Sequence, residues 1–106
     1  VLAVARAIGI DDEVSRRVLS GFKGVPGRLE LIREVNGVKI YNDTTSTTPE
    51  ATLAALSALD QAHTVLIMGG TDKNLDMNTL LARLADVKRV ILLPGSGTNR
   101  ILEFLL

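Results

Sequence analysis

Cysteine is absent from this 106-residue sequence, which excludes disulfide bonds and any metal site built on thiolates. An excess of one charge is also lacking, because twelve lysine and arginine residues balance twelve aspartate and glutamate residues. The balance gives no reason to expect nucleic acid or an anionic membrane as a partner. No apolar run approaches the roughly 20 residues that span a bilayer, and "VLAVARAIGI" lacks the features of a signal peptide. We therefore predict a soluble cytoplasmic protein with no obligate protein partner evident.

The residues that are present favour a folded domain. Hydrophobic residues make up 46% of the chain, which argues against disorder. The chain opens without methionine inside an apolar helical pattern and closes on the apolar segment "ILEFLL". We therefore expect a piece of a longer protein, which ends before its last domain is complete.

The first part of the chain is helical by its pattern. Residues 1–22 predict two helices that divide at Gly9, the second beginning at Asp11 or Asp12. The next segment, "KGVPGR", contains two glycines and a proline and is typical of a linker. We predict a domain boundary after residue 24.

The rest of the chain alternates strands and helices. The apolar segments "RLELIREV" and "VKIYN" flank Asn36-Gly37, which is the strongest short-range signal for a β-hairpin. Continuously apolar strands that alternate with amphipathic helices indicate a parallel sheet covered on both faces. The predicted fold is α/β, with a Rossmann-like, mostly parallel sheet, flanking helices and the hairpin at its entrance. Its later elements are the helix 49–59, the strand 64–68, the helix 77–84, the strand 89–93 and the start of another helix.

The segment "YNDTTSTTPEATLAAL" carries an unusual run of polar residues before a helix. Thr47 or Thr48 can cap that helix, Pro49 suits its first turn, and Glu50 follows Thr47 at the spacing of a capping box. This interpretation leaves residues 43–46 without a structural role. They are candidates for contact with a ligand.

Three polar loops follow predicted strands, namely "NDTTSTTP", "GGTDKN" and "PGSGTNR". In open α/β sheets, ligands bind beyond the carboxyl ends of the strands, so we expect these loops to share a binding edge. Taken alone, "GGTDKN" and "PGSGT" are better explained as turns, and the threonine run is explained as a solvated loop with a cap. "GGTDKN" has neither P-loop nor dinucleotide-binding spacing. The single histidine, His63, has no partner that would suggest a metal site.

Four separated segments, taken together, resemble the Mur ligase family. They occur in the order and at about the spacing that the family shows, and they span essentially the whole chain. The resemblance implies that residues 1–24 end the central ATP-binding domain and that residues 25–106 form a truncated C-terminal glutamate-binding domain. The four segments are "FKGVPGRLELI", "NGVKIYNDTTSTTPEATLAAL", "VLIMGGTDKN" and "VILLPGSGT".

The resemblance also implies an activity. In the matching family members, ATP phosphorylates the terminal carboxylate of UDP-N-acetylmuramoyl-L-alanine, and the amine of glutamate then attacks the acyl phosphate. A peptide bond forms, with release of ADP and phosphate, as a step of peptidoglycan precursor synthesis. The expected cofactors are ATP and Mg²⁺, which suit a reaction that depends on positioning and charge neutralisation. D-glutamate is the expected enantiomer.

The resemblance assigns roles to four residues. Arg28 matches an arginine that reaches the nucleotide, and Asp43 matches an aspartate that accepts hydrogen bonds from the ATP ribose. Thr47 matches a threonine near the glutamate carboxylate, and Lys73 matches a lysine that pairs with the incoming glutamate. This chain contains no expected catalytic residue and no expected metal ligand. We therefore expect it to be inactive by itself.

Two positions depart from the family pattern. Thr45 stands where many members have lysine, and Gly27 stands where the linker usually has histidine. The first departure leaves the enantiomer of glutamate open. Two alternatives also stay open, namely another amino-acid ligase of the Mur and folylpolyglutamate type and a non-catalytic Rossmann-like binding module.

Overall fold

The computed structural model describes residues 1–105 of the chain. Five α-helices and four β-strands follow one another in the predicted order, with a short 3₁₀ turn at Gln61–His63. The fold is mixed α/β, as predicted. The helices are α1 (Leu2–Ala7), α2 (Asp12–Ser20), α3 (Pro49–Ser57), α4 (Asn78–Leu84) and α5 (Ser96–Leu105), and the strands are β1 (Glu30–Val35), β2 (Val38–Asn42), β3 (Val65–Met68) and β4 (Arg89–Leu92).

The first two helices divide at Gly9, as the sequence predicts. The N-cap of α2 is Asp11, whose side chain accepts a hydrogen bond from the Glu13 N–H. Asp12 pairs instead with Arg6 of α1, and this hydrogen bond holds the pKa of the Asp12 carboxyl below its ordinary value. The pair therefore joins the end of α1 to the start of α2.

The hairpin forms where the sequence predicts it. Asn36 and Gly37 both have positive φ, 50° and 79°, which is the backbone that a tight two-residue turn requires. The first strand begins at Glu30 rather than at residue 28. The difference arises because Leu29 has a left-handed backbone, with φ of 43°, and so cannot continue the strand.

The core lies between the parallel pair β3–β4 and the helices α3 and α4. Leu80 is 1% exposed and Leu56 is 2% exposed, and both pack with Leu84 and Val87. Side chains from alternate strand positions, among them Leu66 and Val90, pack against this cluster. This core holds α3 and α4 side by side.

Within the described residues, helices cover only one face of the β3–β4 sheet. The sequence pattern predicts helices on both faces. Ile67 remains 61% exposed on β3, and Ile91 on β4 remains 43% exposed. The strands also form two separate two-stranded sheets, β1–β2 antiparallel and β3–β4 parallel. The radius of gyration is 17.0 Å, against about 13 Å for a compact domain of this length. The apolar strands predicted a second covering layer, but residues 1–105 supply none.

The two core helices run in the same direction relative to β3 and β4. The Lys88 N–H, one residue before β4, donates to the Gln61 carbonyl just after α3, at 3.2 Å. The end of α3 therefore lies at the amino ends of the strands, where α4 also ends. Both helices consequently begin toward the carboxyl ends of the strands. Among residues 1–105, no helix has the length and apolar character needed to cross a membrane.

Candidate functional site

The loops that follow β3 and β4 meet at the carboxyl ends of these strands. The Gly97 N–H donates to the Gly70 carbonyl at 2.9 Å, and the Leu93 N–H donates to the Met68 carbonyl at 2.8 Å. A Cβ added at Gly95 would collide with the Gly70 carbonyl, so only glycine permits this approach. "GGTDKN" and "PGSGTNR" thus form one packed edge, which is the predicted arrangement for two of the three loops.

Lys73 lies on this edge between two residues with fixed backbones. Before it, Asp72 donates its N–H to Ser96 Oγ at 2.9 Å. After it, the Asn74 N–H donates to Asp72 Oδ1 at 2.8 Å, and Asn74 has a left-handed backbone with φ of 55°. Lys73 itself is exposed, and its ammonium forms no ion pair with residues 1–105. The loop therefore presents a cation to solvent from a defined backbone.

The carboxylate of Asp72 accepts the bonds that organise this loop. Its Oδ1 atom accepts from the Asn74 N–H and from Arg100 Nη1 of α5, the latter at 2.9 Å. These two contacts, the Asn74 bond first, lower the pKa of Asp72 below its ordinary value. The ionised form is therefore the form that the fold favours.

Acid is expected to loosen this loop only well below neutral pH. A lowered folded-state pKa gives stabilisation that is complete above the unfolded value of about 3.9 and is lost as the pH falls through the folded value. In an NMR titration, the Asn74 amide resonance should therefore shift with a midpoint below about pH 3.9. Asp72→Asn should remove that titration. A midpoint at or above the ordinary value would contradict the assignment.

Asp43 contacts the backbone of the residue that follows Arg28. The Leu29 N–H donates to Asp43 Oδ1 at 2.8 Å, so the carboxylate holds the residue next to Arg28. Within residues 1–105, no hydrogen bond uses Asp43 Oδ2, and the exposed Arg28 side chain forms no ion pair. One oxygen of Asp43 therefore remains available beside the backbone of residues 28–29.

Structural roles also exist for the residues that the sequence left unexplained. Thr45 Oγ1 donates to the Gly27 carbonyl at 2.6 Å, and the Thr45 N–H donates to the same oxygen at 2.9 Å. Ser46 Oγ lies 3.0 Å from Thr52 Oγ1 of α3. The sequence left residues 43–46 without a structural role, but the structure gives one to Thr45, to Ser46 and, through the Leu29 N–H, to Asp43.

The cap of α3 is Thr48, which decides between the two predicted candidates. Thr48 Oγ1 accepts from the Ala51 N–H at 3.3 Å, so the third residue after the cap is Ala51. The predicted capping box of Thr47 with Glu50 is therefore wrong. Thr47 is exposed, and no hydrogen bond in the described chain uses its hydroxyl, which stands at the start of α3.

The four predicted site residues form two groups. Arg28 and Asp43 share the linker, and Lys73 belongs to the packed edge beyond β3. Thr47 lies at the start of α3. This helix packs beside α4, and both helices begin toward the same edge. No hydrogen bond between residues 42–48 and residues 69–77 occurs in the part of the chain that the structure describes.

Two residues of this edge were not singled out from the sequence. Ser96 and Arg100 stand four positions apart at the start of α5 and both contact Asp72. The sequence indicates a role for them only through their place in the loop "PGSGTNR", which is also typical of an ordinary turn. His63 pairs with Asp60 at 2.8 Å on the surface and takes no part in this edge. Among residues 1–105, no three histidine, aspartate or glutamate side chains lie close enough to hold a metal ion.

Comparison with known proteins gives consistent matches. Residues 27–103 match the family described as Mur ligase, glutamate ligase domain. A UDP-N-acetylmuramoylalanine–D-glutamate ligase of Roseiflexus sp. (strain RS-1) is 43% identical over 100 residues, which are 93% of this chain and 21% of the relative. The ligase of the same name from Treponema pallidum (strain Nichols) is 46% identical over 85 residues, which are 80% of this chain and 16% of the relative.

A third relative has the same name and similar coverage. The ligase of Streptococcus suis (strain 98HAH33) is 38% identical over 96 residues, 91% of this chain and 21% of the relative. The chain thus spans about a fifth of the length of these relatives. The matched family region covers well over half of the 106 residues and contains both groups of candidate residues. The chain belongs to the Mur ligase family.

Proposed function

We propose that this chain is the glutamate-binding part of an ATP-dependent ligase that joins D-glutamate to UDP-N-acetylmuramoyl-L-alanine. The observation that carries the proposal is the family match over residues 27–103, which includes all four candidate residues. The name that the relatives share supports the choice of substrates. Residues 1–24 are assigned to the end of the central ATP-binding domain, and the enzyme is assigned to the cytoplasm and to peptidoglycan precursor synthesis.

Arg28 and Asp43 are proposed to contact ATP. A carboxylate oxygen only accepts hydrogen bonds, so Asp43 Oδ2 suits the two hydroxyls of a ribose. The other oxygen is engaged by the Leu29 N–H at 2.8 Å, and this bond orients the carboxylate before the nucleotide arrives. Arg28 offers a planar set of donors that suits phosphate oxygens. We propose that the two residues act together on the nucleotide.

Lys73 and Thr47 are proposed to contact glutamate. The exposed Lys73 ammonium is a point charge that can pair with a substrate carboxylate. The free Thr47 hydroxyl precedes the first turn of α3, where backbone N–H groups also favour an anion. These contacts would hold the glutamate carboxylates. The unprotonated amine of glutamate would then face the acyl phosphate.

The chemistry uses these residues for orientation. ATP supplies a phosphoryl group to the carboxylate of the UDP-linked substrate, with loss of ADP. The glutamate amine then forms the peptide bond as the C–O bond to phosphate breaks. Mg²⁺ neutralises the phosphate charge when bound, and the described residues of this chain are assigned no part in holding it. The contribution of this chain is to align the amine, because an oriented pair of reactants lowers the entropic barrier.

The direct test is phosphate release by the full-length ligase that contains this chain. We expect release only when ATP, UDP-N-acetylmuramoyl-L-alanine and glutamate are all present. D- and L-glutamate are compared at equal concentration, with aspartate and diaminopimelate as competitors. A higher kcat/KM for diaminopimelate or for a folate substrate would overturn the proposal in favour of another ligase of the superfamily. No turnover with any of these substrates would favour a binding module.

Asp43→Ala in that enzyme should raise KM for ATP by about threefold to tenfold, because it removes a hydrogen bond to the ribose. KM for glutamate should stay within about twofold, since Lys73 and Thr47 are untouched. Asp43→Asn keeps an oxygen for the Leu29 N–H and so separates nucleotide binding from linker stability. Asp86→Ala, which removes a surface carboxylate beside Arg83, is the control. An effect of Asp43→Ala confined to glutamate would contradict the assignment.

A further inference from the structure

The start of α5 contacts the loop that carries Lys73 through two side chains. Ser96 and Arg100 are four residues apart, so they lie on the same face of the helix. Ser96 Oγ accepts from the Asp72 N–H at 2.9 Å, and Arg100 Nη1 donates to Asp72 Oδ1 at 2.9 Å. Both contacts reach across more than twenty residues of sequence and converge on one residue of the loop.

These contacts control the backbone on both sides of Lys73. Asp72 is held at its N–H by Ser96 and at its carboxylate by Arg100. The same carboxylate oxygen accepts from the Asn74 N–H, which keeps Asn74 in its left-handed backbone. Lys73 therefore has a fixed residue immediately before it and another immediately after it. Within residues 1–105, its own side chain makes no ion pair or hydrogen bond that would orient it.

The arrangement differs from an ordinary surface ion pair. Arg83 near the end of α4 and Asp86 just after it also form a bridge, at 3.2 Å, with side chains 44% and 53% exposed. The Asp72 and Arg100 side chains are only 33% and 27% exposed, and their bridge shares an oxygen with a backbone hydrogen bond. Loss of the Asp72–Arg100 bridge would therefore unpair two charges and also loosen the loop backbone.

We infer that Arg100, assisted by Ser96, is a positioning residue that sets the place of the Lys73 ammonium for the glutamate carboxylate. The inference rests on the proposed function, because it takes Lys73 as the group that binds glutamate. Arg100 itself need not touch the substrate. Its effect passes through Asp72 and the backbone of residues 72–74.

A double-mutant cycle in the full-length ligase tests the inference. Arg100→Ala should raise KM for glutamate by about threefold to tenfold and leave KM for ATP within about twofold. In a Lys73→Ala background, the same change should alter glutamate kinetics by less than about twofold, because the group that Arg100 positions is absent. Equal effects of Arg100→Ala in both backgrounds would overturn the positioning role.

Amide hydrogen exchange supplies a readout that does not depend on activity. Arg100→Ala and Ser96→Ala should each speed exchange at the Asp72 and Asn74 amides, whereas Arg83→Ala, the matched ion-pair control, should not. Arg100→Lys keeps the charge and should recover part of both effects. Unchanged exchange in a folded Arg100→Ala enzyme would overturn the inference whatever the kinetics.

Failure of the proposed function gives a different pattern. In that case exchange at the two amides still rises in Arg100→Ala, but Lys73→Ala leaves glutamate kinetics unchanged. Such a result would remove Lys73 from glutamate binding and with it the positioning role, while the contact of α5 with the loop would stand.

Discussion

Replacing Lys73 with alanine in the full-length ligase is expected to lower kcat/KM for glutamate at least about tenfold. The lost contact is a charge-assisted hydrogen bond to a substrate carboxylate, worth roughly 1.5–3 kcal/mol. The structure strengthens this expectation, because Lys73 extends from a loop whose neighbouring residues are fixed by α5. KM for ATP should stay nearly constant. Steady-state kinetics with glutamate and ATP varied separately measure both quantities.

Lys88→Ala is the matched control for this experiment. Lys88 is also exposed, but it lies just before β4, at the amino ends of the strands. Its removal should leave glutamate kinetics within about twofold. Thermal unfolding should be nearly unchanged in both variants, since neither lysine is in the core. If a folded Lys73→Ala enzyme has the same glutamate kinetics as the unmodified enzyme, the proposed role of Lys73 is wrong and "GGTDK" is only a structural turn.

Leu80→Ala is expected to destabilise the chain by about 2–5 kcal/mol, because it leaves a cavity in the middle of the core. Leu80 is 1% exposed and packs with Leu56, Leu84 and Val87 between α3, α4 and the strands. A small domain has a free energy of unfolding of only about 5–15 kcal/mol. Urea denaturation of the 106-residue chain, followed by far-UV circular dichroism, should therefore show a much lower midpoint.

Two further variants separate the cavity from other causes. Leu80→Met nearly conserves volume and should cost less than about 1.5 kcal/mol. Leu102→Ala removes a leucine that is 39% exposed on α5, so its cost should be clearly smaller than that of Leu80→Ala. Equal midpoints for Leu80→Ala and Leu102→Ala would show that the core is centred elsewhere.

Local patterns in the sequence predict most of the elements. Met77, Leu80 and Leu84 follow a helical spacing, and the structure buries Leu80 and Leu84 in α4. Asn36-Gly37 predicts a turn, because its backbone needs are local and few residue pairs meet them. Where strand and helix boundaries differ from the prediction, they differ by one to two residues, since the ends depend on caps and on single backbone angles.

The contacts that build the candidate site could not be predicted in the same way. Arg100 binds Asp72 from 28 residues away, and Asp43 binds the Leu29 N–H from 14 residues away. Periodicity carries no information about such pairs, because each depends on how separate elements pack. The prediction that helices cover both faces of the sheet was wrong for a related reason. Apolar strands indicate that a face needs a partner, but they do not indicate whether residues 1–105 provide it.

The contact of Gly27 with Thr45 has a consequence for how sequences of this family diverge. Gly27 is buried with φ of 72°, and a Cβ there would lie 3.0 Å from Thr45 Cγ2. The family resemblance implies histidine and lysine at these two positions. A histidine at 27 would be strained by the backbone and crowded by the threonine, and a lysine at 45 would lose the hydroxyl bond to the Gly27 carbonyl. Only the crowding involves both residues, so loss of the threonine methyl group at 45 is expected to reduce the cost of a later exchange at 27.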